Sequence, residues 1–295
     1  MTAGGQSRKS IRIAGIVFLF ALFSINLFFL LAHREDYLGL LTRLSPDHKL
    51  ESPGLVILNV QYAFVLGFLF WWIATKSGKR PIDPLAKLTI PVSLVLLLLF
   101  HLQPYLPRLQ LLYVEDGFFE SLTAICAFAA SFLLAGSIRS ARNWPIRRFL
   151  LVLAALFFVF GMEEISWGQR ILGWKTPPGL SAFNYQNESN IHNFFNPILR
   201  FAYPIFNAGL AMFMFSVDRI RSAVERRSKD SPWTDLFPGG ESSYYGFIFS
   251  ALIFHSLASS TESTEIIVAV IGLSYAISRG FRGKPTSASV DGSRI

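Results

Sequence analysis

Two adjacent carboxylates, Glu163 and Glu164, follow directly on the apolar run Phe-Phe-Val-Phe-Gly-Met at 157–162. At the C-terminal end of an apolar helix the dipole disfavours negative charge, so such a pair calls for a metal ion, an arginine or a shared proton. Two chemistries fit that demand. A divalent metal held by carboxylate and imidazole activates water, or one Glu is kept protonated and serves as a general acid. Other residues of the same kinds fall where they would join in. Glu120, in Glu115-Asp116-Gly117-Phe118-Phe119-Glu120, shares a helical face with Asp116 by i,i+4 spacing. His255, in Phe-His-Ser-Leu-Ala-Ser-Ser, lies near the end of another apolar run, and His192 lies in a polar connection. Glu120, Glu163, Glu164, His192 and His255 are the expected catalytic residues, with Asp116, Glu188 and His101 in support. Glu120, Glu164, His192 and His255 are the expected ligands if a divalent metal is the cofactor.

The connection after residue 165 has the composition of a folded segment. It interleaves Trp167, Ile171, Leu172 and Trp174 with Gln169, Arg170, Asn187, Glu188, Asn190 and His192, where a plain linker would be rich in Ser, Gly and Lys. That mixture suits a loop, 166–197, folded onto the mouth of a helix bundle with its aromatics at headgroup level. Trp167, Gln169, Arg170, Asn187 and Asn190 are the expected substrate-binding residues. Plain structural roles compete with these assignments. Glu115, Asp116, Glu262 and Glu265 stand where helices begin, and Ser259-Ser260-Thr261-Glu262 fits a capping box. Arg170 would neutralise one acid of the Glu163–Glu164 pair as an ordinary ion pair.

The elements that must position these groups are legible in the hydropathy. Of 295 residues, 52% are hydrophobic and only 16% charged, against about a quarter charged in a soluble domain. The apolar residues gather into eight runs, at about 13–32, 55–74, 86–102, 117–137, 149–165, 198–217, 244–260 and 263–278. The predicted fold is all-α: a polytopic transmembrane helix bundle of about eight spans forming a single domain over 1–282, with a disordered tail at 283–295. With both termini on the cytoplasmic side, 20 of the 27 Lys and Arg fall inside, and the 19 acids divide into 7 inside and 12 outside. The net +8 thus separates into +13 inside and −5 outside, the bias expected of an inner-membrane protein. Nucleic acid is not needed to explain the basic balance, and the lipid bilayer is the expected partner. All five His and the acids named above lie at the outer side. The single Cys126 excludes an internal disulfide and a Cys-based zinc cluster.

Glu-Glu-Ile-Ser-Trp-Gly-Gln-Arg at 163–170, with the Asn/Gln/Glu-rich stretch ending in His192-Asn193 and the Glu-Asp-Gly-x-x-Glu at 115–120, resembles a signature shared by a group of bacterial multi-pass membrane proteins without an assigned activity. The resemblance covers about a third of the chain, and what it implies is the location of a site rather than its reaction. A second likeness, to eight-span intramembrane proteases of the prenyl-protein-processing type, is not carried over. Their Glu-Glu-x-x-x-Arg requires Arg at 168, which is Gly here, and their Phe-x-x-x-His is not matched at His255. The resulting expectation is a hydrolase or transferase acting on a lipid or lipid-linked substrate at the outer leaflet, with a non-catalytic assembly or scaffold protein as the alternative. A transporter is disfavoured because no span carries an acid or His near its middle.

Overall fold

A computed structural model of the chain describes residues 82–102, 117–141, 143–176, 196–228, 231–258 and 262–282, and every regular element among them is helical. Six long helices are present: α1 Ala86–Leu102, α2 Phe118–Ile138, α3 Trp144–Glu164, α4 Asn196–Arg227, α5 Ser242–Ala258 and α6 Glu262–Arg282. They coincide with six of the eight apolar runs, and the runs at 13–32 and 55–74 lie outside the described residues. Among the described residues α2 and α3 are long and apolar enough to cross a membrane, while the apolar parts of α1 and α5 are shorter.

Two boundaries differ by five residues or more from those expected, each for a physical reason. α3 begins at Trp144 rather than 149, because Pro145 sits in its first turn, where a missing N–H costs nothing. The arginines of that turn are accommodated locally: Arg147 Nε donates to the Ala141 carbonyl at 2.8 Å, and the Arg148 guanidinium lies 4.6 Å from the Trp144 ring centre. α4 continues ten residues past 217 through Asp-Arg-Ile-Arg-Ser-Ala-Val-Glu-Arg-Arg, good helix formers that include the i,i+4 pair Arg221–Glu225 at 3.1 Å. An apolarity count ends there; the helix does not.

Small residues set how closely the helices approach. α2 buries Thr123, Ala124, Ala127, Ala130, Ser131 and Leu134 on one face, and Ser131 Oγ donates to the Ala154 carbonyl of α3 at 2.8 Å. Ala-lined contacts of this kind let two backbones pack side by side. The short turn between α2 and α3 makes them an antiparallel hairpin, and Ile138 and Ile146 share one core cluster beside that turn. At the hairpin's other end, a Cβ on Gly161 would stand 3.0 Å from the Phe128 ring. α4 and α5 form a second antiparallel pair, with Phe215 against Gly246 and the Asn207 side-chain amide 3.4 Å from the Leu252 carbonyl. α6 lies against both pairs. Its Gly272 receives the Phe157 ring of α3, and its Thr264 accepts from Asn207 Nδ2 at 2.9 Å. α1 closes the bundle beside α5 and α6, its Phe100 ring 5.5 Å from Phe119 of α2.

Gly272 admits the Phe157 ring only because it has no Cβ; one built there overlaps the ring. Gly272→Ala is therefore expected to cost about 1–3 kcal/mol, the usual range for overpacking. Thermal unfolding in detergent measures this, and Phe157→Leu in the same chain should recover part of the loss.

Candidate functional site

The helix directions bring five carboxylates to one end of the bundle. Glu120 is in the first turn of α2, Glu262 and Glu265 are in the first turn of α6, and Glu163 and Glu164 are the last two residues of α3. Glu164 is the centre of the group. It is only 7% exposed, and Glu265, Glu120, Glu262 and Glu163 all stand within its electrostatic reach. Two neighbouring contacts organise the set: the Tyr203 hydroxyl of α4 donates to Glu265 Oε1 at 2.5 Å, and the Trp167 indole N–H donates to Glu163 Oε1 at 2.5 Å.

The segment that follows α3 is held in a conformation that few sequences adopt. Ser166, Trp167 and Gly168 all have positive φ, at 48°, 56° and 80°. The left-handed region costs a non-glycine residue roughly 1–2 kcal/mol. Local bonds offset that cost. Gly168 N–H donates to the Ile165 carbonyl at 2.9 Å, Trp167 is tied to Glu163, and Ser166 is wholly buried. A single helical turn, Gln169–Leu172, then ends at Gly173, itself left-handed with φ 68°. Gln169 Nε2 reaches forward to Thr176 Oγ1 at 3.0 Å, so the turn is closed by its own side chains. Strained backbone held by surrounding contacts beside buried charge is a pattern associated with functional sites.

Of the residues expected from the sequence, Glu120, Glu163 and Glu164 are brought together, with Trp167 bonded to one of them. Gln169 is two residues beyond Trp167 and engages Thr176. His192, Asn187, Asn190, Asp116, Glu115 and Glu188 lie outside the described residues, as do the side chains of Arg170, His101 and His255. The backbone of His255 is in the last turn of α5. Glu262 and Glu265 do occupy the first turn of α6, where a capping role was expected, yet they also act electrostatically on the buried Glu164. Tyr203 was not foreseen: in sequence it is one aromatic among many near the start of an apolar run, and its partner is 62 positions away.

The opposite end holds a second buried acid that the positive-rich composition concealed. Glu241 is buried where α5 begins, and its carboxylate accepts from the backbone N–H of Gly239 at 2.7 Å and of Asp83 at 3.2 Å. Asp83 in turn accepts from Ser278 Oγ at 3.0 Å. These bonds tie the starts of α1 and α5 to the end of α6; their role is structural.

Comparison with protein-family models, with curated proteins and with solved structures finds no match. What the acidic end can do must therefore come from its own chemistry. Like charges this close to a buried carboxylate disfavour the fully ionised set, which calls for protons, a cation or basic side chains. Among the described residues no three His, Cys, Asp or Glu are arranged to hold a metal ion. A metal at this end would need the imidazoles of His192 or His255, whose side chains lie outside the described set.

The indole–carboxylate bond can be tested alone. Trp167→Phe removes the donor to Glu163 and is expected to lower unfolding stability by about 1.5–3 kcal/mol, the range for a hydrogen bond to a charged group. Glu163→Gln keeps an acceptor oxygen and should cost less, as read by thermal unfolding in the same detergent.

Proposed function

We propose that the chain is a multi-pass inner-membrane protein of about eight spans, with both termini cytoplasmic and the acidic end facing outward. We further propose that it is a hydrolase or transferase acting on a lipid or lipid-linked substrate at the outer leaflet. The observation that carries this reading is the placement of Glu120, Glu163, Glu262 and Glu265 at the same end as the buried Glu164 and within its electrostatic reach, in a bundle whose sides are apolar. Leu88 on α1, Phe132 on α2, Leu156 on α3 and Met212 on α4 all point outward and exposed, a distribution unsuited to water and suited to acyl chains. α2 and α3 are 21 residues each, which at 1.5 Å per residue matches a hydrocarbon core of about 30 Å. The charge division of +13 against −5 supports the orientation. The resemblance of 163–170 and 115–120 to the bacterial multi-pass group supports the location of the site.

In this reading Glu164, shielded from water and surrounded by like charge, is the proton-carrying acid. Glu120 or Glu163 is the base or the stabiliser of positive charge that develops in the reaction. His192 and His255 serve as further proton carriers or, with Glu120 and Glu164, as ligands of a divalent metal that activates water. Trp167, Gln169, Arg170, Asn187 and Asn190 orient the substrate's polar head. One set of contacts favours the scaffold alternative: Tyr203–Glu265 and Trp167–Glu163 already engage two of the acids within the protein.

The test is the lipid profile of a strain lacking the protein, complemented with the wild type, with Glu164→Gln or with Glu120→Gln. The enzyme reading expects one lipid or lipid-linked species to accumulate in the deletion and in both variants at normal protein level. A profile restored by Glu164→Gln and Glu120→Gln as fully as by the wild type would leave the scaffold reading.

A further inference from the structure

The most exposed apolar side chains beside the acidic end are not part of it. Ile171 is 73% exposed and Leu172 75%, and Trp174 follows them, also exposed, with Lys175 alongside. All four come within eleven residues of Glu164, immediately after the left-handed turn at 166–168, which redirects the chain as it leaves α3. Two adjacent aliphatic side chains exposed to this degree are unfavourable in water, and the turn that presents them is fixed by the Gln169–Thr176 contact and by Gly173 N–H to the Gln169 carbonyl at 2.9 Å.

We propose that Ile171, Leu172 and Trp174 form a wedge inserted into the outer-leaflet interface of the bilayer beside the Glu164 group. Three observations select lipid as the occupant. The wedge follows α3 in the chain, and α3 itself exposes Leu151, Val152, Leu156 and Val159 along a helix of membrane length. α3 is bracketed by tryptophans, Trp144 under Arg148 at its start and Trp174 beside Lys175 beyond its end, the pattern of an interfacial belt at both membrane surfaces. Lys175, exposed next to Trp174, supplies a cation of the kind that pairs with lipid phosphates. The wedge rests on the membrane reading given above. It adds that the acids are held at headgroup depth, so that a lipid reaches Glu164 by lateral diffusion within the leaflet and not from bulk water.

Spin labels at single introduced cysteines, in full-length protein reconstituted into phosphatidylethanolamine–phosphatidylglycerol vesicles, test it. The positions are Ile171→Cys, Leu172→Cys, Leu156→Cys at mid-α3 and Ser140→Cys in the exposed turn before α3; Cys126 is buried and stays in place, with unlabelled-parent protein as its background. Collision rates with oxygen, which partitions into lipid, are compared with those of a water-soluble nickel chelate. The wedge requires the labels at 171 and 172 to lose chelate collisions relative to Ser140→Cys while gaining oxygen collisions, at a ratio between those of Ser140→Cys and Leu156→Cys. Chelate-dominated collisions at both 171 and 172, with oxygen-dominated collisions at 156, would overturn the wedge and leave the spans intact. Chelate dominance at 156 as well would overturn the membrane reading itself. Labels at 171 and 172 shielded from both reagents would place them against protein, a second copy included, and would equally overturn the proposal. Using two positions guards against one variant failing to fold.

Discussion

Like charges gathered around a buried carboxylate repel one another, and the bundle's topology is what makes that tolerable here. α2 and α6 both begin at the acidic end, so their unsatisfied N–H groups and the positive ends of their dipoles face the carboxylates. α3 ends there and offers the opposite sign, which is why its two terminal acids need outside help. Glu163 receives it from the Trp167 indole, one turn onward, and Glu164 is buried within electrostatic reach of acids in the first turns of α2 and α6. Were α6 to run the other way, Glu164 would meet a second negative helix end in place of a positive one. The direction of α6 is fixed far from the acids, by Ser278 bonded to Asp83 and by the Tyr275 hydroxyl on the Leu236 carbonyl at 3.1 Å. The two ends of the molecule are thus mechanically linked through a single helix.

Close packing along that helix gives the link its stiffness. Gly272 under Phe157, Thr264 bonded to Asn207 and the Ala-rich face of α2 leave little room for α6 to slide. The loop after α3 is held differently, by short-range hydrogen bonds that keep Ser166 and Trp167 in the left-handed region. The site therefore joins a rigid floor, made by the first turns of α2 and α6, to a rim whose shape depends on a few local contacts.

Much of the helical framework was legible because apolar runs report directly on helices that bury or expose hydrocarbon. The starts of α1, α2, α5 and α6 fall within two residues of the positions read from hydropathy. The start of α3 and the end of α4 were missed because Arg147, Arg148 and the charged stretch 218–227 end an apolar count without ending a helix. Glu120, Glu163 and Glu164 stood out because acids at the ends of apolar helices are costly. Glu265 did not, since its local sequence explains it fully as a helix-start residue; only tertiary structure brings it within electrostatic reach of Glu164. Tyr203 was invisible because its partner Glu265 is remote in sequence, and the burial of Glu241 because the Asp83 backbone that helps hold it is remote as well. Gly168 alone hints at a left-handed residue, and nothing in Ser-Trp announces two more before it.

The acids collect at one end of the bundle, and the central proposal is that this end faces out of the cell. The most direct measurement is modification of single cysteines by a membrane-impermeant maleimide in intact spheroplasts. Gly117→Cys before α2, Thr176→Cys after α3 and Glu262→Cys at the start of α6 are to be compared with Ser140→Cys, Ser231→Cys and Gly280→Cys at the opposite end. The account predicts that the first three react in intact cells and that the last three react only after the membrane is permeabilised. Reaction of residues 117 and 262 from opposite sides of the membrane, or of all six from the same side, would contradict it.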